Sequence, residues 1–272
     1  MEKKKKILIY AICLASICLC VLSIWQIIQF FQMRKEAKEE SNLLNTIEIE
    51  NTEMRNEENI VEEIPPEIEE TEKIETERML KVKKLQEENA DIVGWLEIPD
   101  TAISYPVLQG TDNEYYMNHN YKKEKSKSGS IFLNKDYDWT IPSTNLLIYG
   151  HNIKTGTMFH DLLKYEKQSF YEEHPIIRFT TEKEDAEYEI IAAFRSRVYY
   201  KSEKNVFRYY YFIHAETKEE YDDFVSNAKK ESLYDIPATA EYGDALITLS
   251  TCAYHVKDGR MIVVGKKLRN SN

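Results

Sequence analysis

The segments DALITLSTC at residues 244–252 and RMIVVG at residues 260–265 decide the predicted fold of this chain. The first segment is apolar and β-branched, as expected of a strand, and it ends at Cys252. Side chains alternate across a strand, so Ser250 and Cys252 share one face. If the two segments pair as antiparallel strands, Cys252 and Arg260 bracket the connecting loop with Cβ atoms about 5 Å apart.

This placement of Arg260 gives Cys252 the surroundings of a reactive thiol. A guanidinium next to the sulfur would lower the pKa of the thiol, and its N–H groups could hold an oxyanion. For an isolated arginine the ordinary interpretation is a surface residue at the start of a strand, so this pair does not by itself define a catalytic site.

A thiol nucleophile also needs a partner that transfers protons, which is most often a histidine. The chain has six histidines, and composition cannot choose among them. His151 follows the apolar segment 146–149 and a flexible Gly150, and strand ends are where a rigid scaffold presents catalytic groups. His255 is three residues from Cys252, which predicts a place within the loop and on its wrong side.

Outward from this centre, short β-branched, aromatic or alternating segments bounded by Gly, Pro, Asn or Asp predict further strands. Many short strands with few helices between them indicate a β-barrel or sandwich with helical decoration. With the two segments above, the predicted strands are 95–98, 103–108, 130–133, 145–149, 176–180, 188–197, 245–251 and 260–266.

Three helices accompany these strands in the prediction. Apolar periodicity predicts an amphipathic helix over 74–93, which Gly94 would end. The segment 216–230 predicts a helix between two late strands, and 158–165 predicts a short one.

The N-terminus predicts a membrane anchor. Four lysines at positions 3–6 precede residues 7–33, which carry no charge and are long enough to cross the hydrocarbon of a bilayer. The lysines favour a cytoplasmic N-terminus, and Trp25 lies where interfacial aromatics are favoured. A cleaved signal peptide and a buried helix of a soluble protein are the alternatives. The first lacks a clear cleavage site, and the second rarely has so long an uncharged run.

Residues 34–77 predict an acidic stalk outside the membrane. From Arg34 to Arg78 there are sixteen Glu against six Lys and Arg, which accounts for ten of the eleven net negative charges of the chain. Such a segment buries little apolar surface, and like charges keep it extended. The remaining domain is nearly neutral and lacks the clustered basic residues of a nucleic-acid-binding protein.

Cysteine usage adds weight to a chemical role for Cys252. Three of the four cysteines lie in the apolar N-terminal run, so Cys252 is alone in the exported part and cannot form an intramolecular disulfide there. It is therefore either a small buried apolar residue or a reactive thiol. The histidines and this cysteine do not have the spacing of a zinc site, and we expect no metal or cofactor.

Taken together, TLSTC at 248–252, an arginine eight residues later and IYGHN at 148–152 resemble the signature of the sortase family. The order of His, Cys and Arg and their spacing both fit. The resemblance spans about residues 78–272, and the helix predicted at 216–230 makes class B sortases the most similar.

The resemblance implies a mainly β fold: a closed sortase-type barrel with an N-terminal helix and a helix inserted between late strands, preceded by a single transmembrane helix. It divides the chain into a basic tip and anchor at 1–33, the stalk at 34–77 and the catalytic domain at 78–272. The anchor would contact the lipid bilayer through residues 7–28 and place the domain outside the cell membrane.

The resemblance also implies the activity. Sortases cleave a C-terminal sorting signal of a secreted protein after a Thr through a Cys thioester, and transfer the protein to an amine of a cell-wall precursor or a pilin. Cys252 would be the nucleophile, His151 the proton-transfer partner and Arg260 the stabiliser of the oxyanion. Ser250 and Thr251 are candidate substrate-binding residues.

Three points stay open at this stage. Some class B members carry a carboxylate close behind the Cys, whereas here the nearest acid is Asp258, which we expect to be a turn residue before Gly259. An exported cysteine hydrolase that uses water shares the first half-reaction. A stalked binding domain with an inert Cys252 is the non-enzymatic alternative.

Overall fold

The computed structural model describes residues 2–43, 66–141, 144–253 and 256–269. Eight strands form a closed barrel in the order β1-β2-β3-β4-β9-β10-β8-β7. The predicted closed barrel is thereby confirmed. The barrel strands are β1 (Ile92–Glu97), β2 (Ser104–Leu108), β3 (Ile131–Leu133), β4 (Asn145–Gly150), β7 (Ile176–Thr180), β8 (Asp185–Arg197), β9 (Leu246–Cys252) and β10 (Gly259–Lys267).

Among the described residues, four α-helices and a small hairpin accompany the barrel. The hairpin and the third helix are absent from the sequence prediction because the hairpin strands have two residues each and the helix has six, which leaves little periodicity to detect. The helices are α1 (Glu2–Ser41), α2 (Pro66–Glu88), α3 (Gln168–Glu173) and α4 (Lys218–Glu231), and the hairpin joins β5 (Asn152–Ile153) to β6 (Thr157–Met158).

The segment predicted at 158–165 is a 3-10 helix, Phe159–Glu166. Helix α4 lies between β8 and β9 in the chain, as predicted for the inserted helix. Its N-cap is Thr217, whose hydroxyl accepts a hydrogen bond from the backbone N–H of Glu220.

The prediction that Gly94 ends a helix is wrong. Helix α2 ends at Glu88, and Gly94 lies inside β1, next to a bulge in the pairing with β2. A Cβ at position 94 would lie 2.6 Å from Phe179 Cζ and 2.7 Å from the carbonyl oxygen of Thr180. Glycine is thus required here by the close approach of β7, and not as a helix terminator.

Two apolar layers hold the barrel together. Inside it, alternate residues of the strands, such as Ile247 and Leu249 of β9, form one buried core. On the outer face, Ile262 and Val264 of β10 pack with α4 through Phe224 in a second buried cluster. Because side chains alternate along a strand, one face of β9 lies in the barrel interior and the other face lies on the outer side of the sheet.

Helix α1 is long and apolar enough to cross a membrane, and its large apolar residues from Ile12 to Phe31 lie exposed on its surface. Its last turns pack on the barrel, where Ala37 is fully buried. The first residues of the predicted stalk, 34–41, are helical as part of α1, and its last residues, from Pro66 onward, are helical as part of α2. Residues 44–65 of the stalk lie outside the described part of the chain.

We expect Gly94→Ala to destabilise the barrel by about 1–3 kcal/mol, because the added methyl group meets the backbone of β7 and cannot be accommodated by a side-chain movement alone. Chemical denaturation followed by near-UV circular dichroism measures this. Gly110→Ala is the control, because its Cβ would have only ordinary contacts, the nearest at 3.4 Å from Tyr116. An equal loss of stability in both variants would contradict this explanation.

Candidate active site

A groove at one end of the barrel contains all five residues that the sequence singled out. It has a volume of about 250 Å³. These residues are His151, Ser250, Thr251, Cys252 and Arg260.

Strand pairing brings the three chemical groups together. Cys252, the last residue of β9, is directly opposite Arg260 in the antiparallel ladder with β10. On the other side of β9, Gly150 at the end of β4 is opposite Thr251 in a parallel ladder, so His151 follows at the same end of the barrel. Residues about a hundred positions apart in the chain thereby meet at neighbouring strand ends.

Gly150 has a steric role at this point rather than the flexibility that the sequence suggested. A Cβ at position 150 would collide with the side chains of Ile131 and Phe159. The absent side chain lets β4 run close to these residues before the chain turns at His151. The Thr251 hydroxyl donates to the Gly150 carbonyl at 2.8 Å and fastens the two strand ends together.

The imidazole of His151 has two partners. Its Nε2 donates a hydrogen bond to the carbonyl oxygen of Met117 at 2.8 Å, and Cys252 in the same groove is the group that acts most strongly on the charge of the ring. The hydrogen bond with Cys252 raises the pKa of His151, and the Met117 carbonyl acts in the same direction, while burial opposes both. The carbonyl therefore favours the imidazolium form and fixes the ring orientation.

The thiol of Cys252 is shifted in the opposite direction. Its hydrogen bond with His151 lowers its pKa, burial acts against this, and the charge of Arg260 lowers the pKa further. The raised pKa of His151 and the lowered pKa of Cys252 both increase the fraction of molecules that hold thiolate and imidazolium together. A half-buried thiolate beside two cationic groups has the microenvironment of a nucleophilic cysteine.

Ser250 lies on the outer face of β9, since it is opposite Ile262 of the outer cluster. Its hydroxyl and that of Tyr209 form a buried hydrogen bond of 2.8 Å. Ser250 therefore does not point into the barrel interior. Both predicted binding residues line the groove, with their hydroxyl groups engaged by the protein.

Asp258 has a φ of +56° in the turn before β10, and its carbonyl oxygen accepts a hydrogen bond from the N–H of Val198 at 3.0 Å. Its charge raises the pKa of Cys252, so it opposes thiolate formation. The turn position is the one expected from the sequence. His255 lies outside the described residues.

Sequence reasoning missed the rest of the groove wall, which is largely apolar and aromatic. These residues come from the 3-10 helix Tyr115–Met117 and the segment before it, from β3 and β4, and from the connection between β8 and α4. They are Asn113, Met117, Phe132, Tyr149, Val198, Tyr209 and Tyr210. The residues in connections have no periodic pattern that would mark them as groove residues, because the fold alone brings them to the groove.

Asn152 is the last residue of the segment IYGHN, and the sequence alone assigned no role to it. Its side-chain Nδ2 donates to the carbonyl oxygen of Cys252 at 3.0 Å, and its Oδ1 is 2.8 Å from Nδ1 of His160, which donates to it. The residue after His151 therefore holds the backbone of Cys252 directly, and it links the two loops that carry the thiol and the imidazole.

We expect the Cys252 thiol to be alkylated at lower pH than a free cysteine, because its pKa is lowered by His151 and Arg260. His151→Ala should move the pH profile of alkylation to higher pH, and Arg260→Ala should move it in the same direction by a smaller amount. The rate of iodoacetamide reaction between pH 5 and 10 measures both, in a chain whose Cys13, Cys18 and Cys20 are replaced by alanine.

Lys257→Ala is the matched control for this series. It removes one positive charge from the same β9–β10 loop, yet its exposed side chain is not among the groups that shift the pKa of Cys252. A profile that moves equally in Lys257→Ala and Arg260→Ala would show that the effect is a general one of net charge.

Comparison with known proteins agrees with this geometry. The sequence profile of the Sortase domain matches residues 96–268. Sortase B of Listeria monocytogenes is 39% identical over 192 residues, which cover 68% of this chain and 73% of the relative. Sortase B of Staphylococcus aureus is 32% identical over 191 residues, covering 70% and 75%.

Solved structures give the same result. The Staphylococcus aureus sortase B–substrate complex superposes with a TM-score of 0.62 at 31% identity, covering 71% of this chain and 87% of that one. Sortase B from Listeria monocytogenes superposes with a TM-score of 0.59 at 38% identity, covering 68% and 98%. The chain thus belongs to the sortase family of cysteine transpeptidases, and its relatives are class B sortases.

Proposed function

We propose that this sortase cleaves a C-terminal sorting signal of a secreted protein after a Thr and transfers the protein to an amine of a cell-wall precursor or a pilin. The observation that carries the proposal is the placement of Cys252 directly opposite Arg260, with His151 in the same groove, where Cys252 and His151 shift each other's pKa toward the charged forms. The comparisons support a transpeptidase that acts on a substrate protein and an amine nucleophile.

In the first half-reaction the Cys252 thiolate attacks the carbonyl carbon of the Thr. The oxyanion that forms is held by the guanidinium of Arg260, whose Nη1 donates to the Gly259 carbonyl and is thereby oriented. The C–N bond to the next residue then breaks, and the His151 imidazolium gives its proton to the leaving amine. A thioester on Cys252 remains.

In the second half-reaction the acceptor amine attacks the thioester. The now neutral His151 takes a proton from this amine, the C–S bond breaks, and Cys252 leaves as a thiolate. A new amide has formed, and both side chains have returned to their starting protonation states. Each step uses the same pair, since a group that donates a proton in the first half accepts one in the second.

The groove wall suggests how the signal is held. Apolar side chains such as Met117, Phe132 and Val198 offer contacts for apolar side chains of a peptide. Ser250 and Thr251 form the floor beside the nucleophile, and the bond between Ser250 and Tyr209 connects this floor to the aromatic wall. We assign both residues to substrate positioning.

The proposed location is the cell membrane, with α1 as a single-pass anchor that contacts the bilayer through residues 7–28. The lysines at positions 3–6 support a cytoplasmic N-terminus and a catalytic domain outside. In this arrangement residues 1–33 are the basic tip and anchor, residues 34–77 form the stalk, and residues 78–272 form the catalytic domain.

The test incubates the chain and its Cys252→Ala variant with a panel of sorting-signal-like peptides, with and without an added amine, and identifies the products by mass spectrometry. We expect cleavage after Thr, a ligated product when amine is present, and no cleavage by Cys252→Ala. Cysteine-dependent cleavage that gives the free acid alone would assign a hydrolase. An unreactive Cys252 without cleavage of any peptide would assign a binding domain.

Arg260→Ala should lower kcat by about 10²- to 10³-fold, the usual effect of removing one oxyanion donor. Arg260→Lys keeps the charge and loses the planar fork, so it should recover part of this loss. Steady-state kinetics on the best peptide measures both. A large rise in KM with unchanged kcat would instead make Arg260 a residue for ground-state binding.

Asn152 acts in the proposal as a positioning residue, because it holds the carbonyl of Cys252 while contacting neither reacting group. We expect Asn152→Ala to lower kcat/KM by about 10- to 100-fold through misplacement of the thiol, with the alkylation pH profile of Cys252 unchanged. Thr155→Ala is the control, since its hydroxyl bonds Thr157 within the same hairpin. Comparable losses in both variants would indicate general disruption of the hairpin.

A further inference from the structure

Helix α1 and the loop 118–127 enclose a cleft of about 640 Å³ on a face of the domain distinct from the groove. The loop is compact: His119 and Lys125 form a β-bridge across it, and the Asn120 side chain accepts from two backbone N–H groups. Ser126 joins the loop to α1, since its hydroxyl donates to the carboxylate of Glu36 at 2.9 Å.

The cleft lies next to the surface of the membrane that α1 crosses. Residues 7–28 span about 33 Å at the rise of an α-helix, which matches the roughly 30 Å thickness of the hydrocarbon. The helix residues that line the cleft begin at Gln29 and end at Glu36. They therefore emerge at the depth of the lipid headgroups, on the side of the bilayer that carries the barrel.

Lys127 joins the loop to the part of α1 that lies at the depth of the headgroups. Its ammonium donates to Gln29 Oε1 at 2.7 Å and lies 5.0 Å from the ring centroid of Trp25. Trp25 is more than half exposed on the helix, as expected for a residue at the interface between lipid and water. A folded loop of the catalytic domain thus reaches the level of an interfacial tryptophan.

The chemistry of the lining favours an anion. Lys125 and Lys127 supply two ammonium groups, and the exposed Arg34 and Lys35 follow on α1. Glu36 is the carboxylate of the lining, and the hydroxyl of Ser126 already engages one of its oxygens. Gln29, Gln32 and His119 add polar side chains that can bond phosphate oxygens or hydroxyl groups of a headgroup.

We propose that this cleft binds the phosphate-bearing headgroup of an anionic phospholipid in the leaflet adjacent to the barrel. A lipid is the occupant that the position favours, because its phosphate is already held at this depth by acyl chains packed beside α1. Lysines close to an anionic surface are attracted to it within a Debye length, about 8 Å at physiological salt.

The bound headgroup would steady a loop that adjoins the groove at Met117. Residues 118–127 continue directly from Met117, whose carbonyl holds His151 and whose side chain lines the groove. The ring of His119, which lines the cleft, stacks on Tyr115 at 4.0 Å. The lipid contact and the catalytic histidine therefore share one short stretch of backbone. The inference does not depend on which peptide or amine the enzyme uses.

The test places the full chain in nanodiscs of phosphatidylcholine alone or with phosphatidylglycerol, and measures amide hydrogen exchange of residues 118–128 by mass spectrometry. We expect exchange to slow by at least about fivefold in the anionic discs, the contribution of one lysine near such a surface. The difference should disappear in 0.5 M NaCl and in Lys125→Gln/Lys127→Gln. It should persist in Lys183→Gln/Lys230→Gln, two exposed lysines on other elements.

Equal exchange in the two kinds of disc would overturn the proposal, as would a lipid effect that the Lys125→Gln/Lys127→Gln variant retains. Slowed exchange in phosphatidylcholine discs on adding inorganic phosphate would show a site for free anions and overturn the choice of a lipid. If the double variant fails to fold, Lys125→Gln alone and the salt dependence of the unmodified chain are measured instead. A lipid effect that persists in both measurements would likewise overturn the proposal.

Discussion

Strand β9 forms hydrogen-bonded ladders with β4 on one side and β10 on the other, and the register of these two ladders sets the positions of His151, Cys252 and Arg260. A slip of one residue would move Cys252 from the outer face of the strand to the barrel interior, because side chains alternate. The register is held by burial, since Ile247 and Leu249 fill the interior. It is also held by polar contacts at the same strand, such as the bond between the Thr248 hydroxyl and Asn145 Oδ1.

The electrostatics of the site follow from this register. Arg260 lies beside Cys252, because directly opposed residues of a ladder are neighbours, and its charge lowers the pKa of the thiol. His151 is brought to the sulfur by the parallel pairing of β4, and the carbonyl of Met117 then holds its second ring nitrogen. The thiol and the imidazole shift each other's pKa toward their charged forms, which favours a thiolate–imidazolium pair.

The groove around this pair is formed by segments that are remote in the chain. Aromatic residues from the connection between β8 and α4 reach the nucleophile through the bond between Tyr209 and Ser250. Met117 reaches the histidine from a short 3-10 helix on the opposite side. The same helix leads into the loop that contacts α1, so the long apolar helix and the groove are connected through one short segment of the chain.

The sequence by itself determined the barrel strands, an N-terminal segment long and apolar enough to cross a membrane, and the set of His151, Cys252 and Arg260. The strands have a local periodicity and the N-terminal segment is a long uncharged run, whereas the three residues were related through motifs that resemble the sortase signature. Only the tertiary structure decided that Gly94 belongs to β1, that Gly150 is needed for space, and that Asn152 holds the backbone of Cys252. The roles of Gly94 and Asn152 depend on neighbours more than eighty residues away in the chain. Gly150 depends on Ile131 and Phe159, which are nearer in the chain but are placed against it by strand order and packing. No local pattern encodes these approaches.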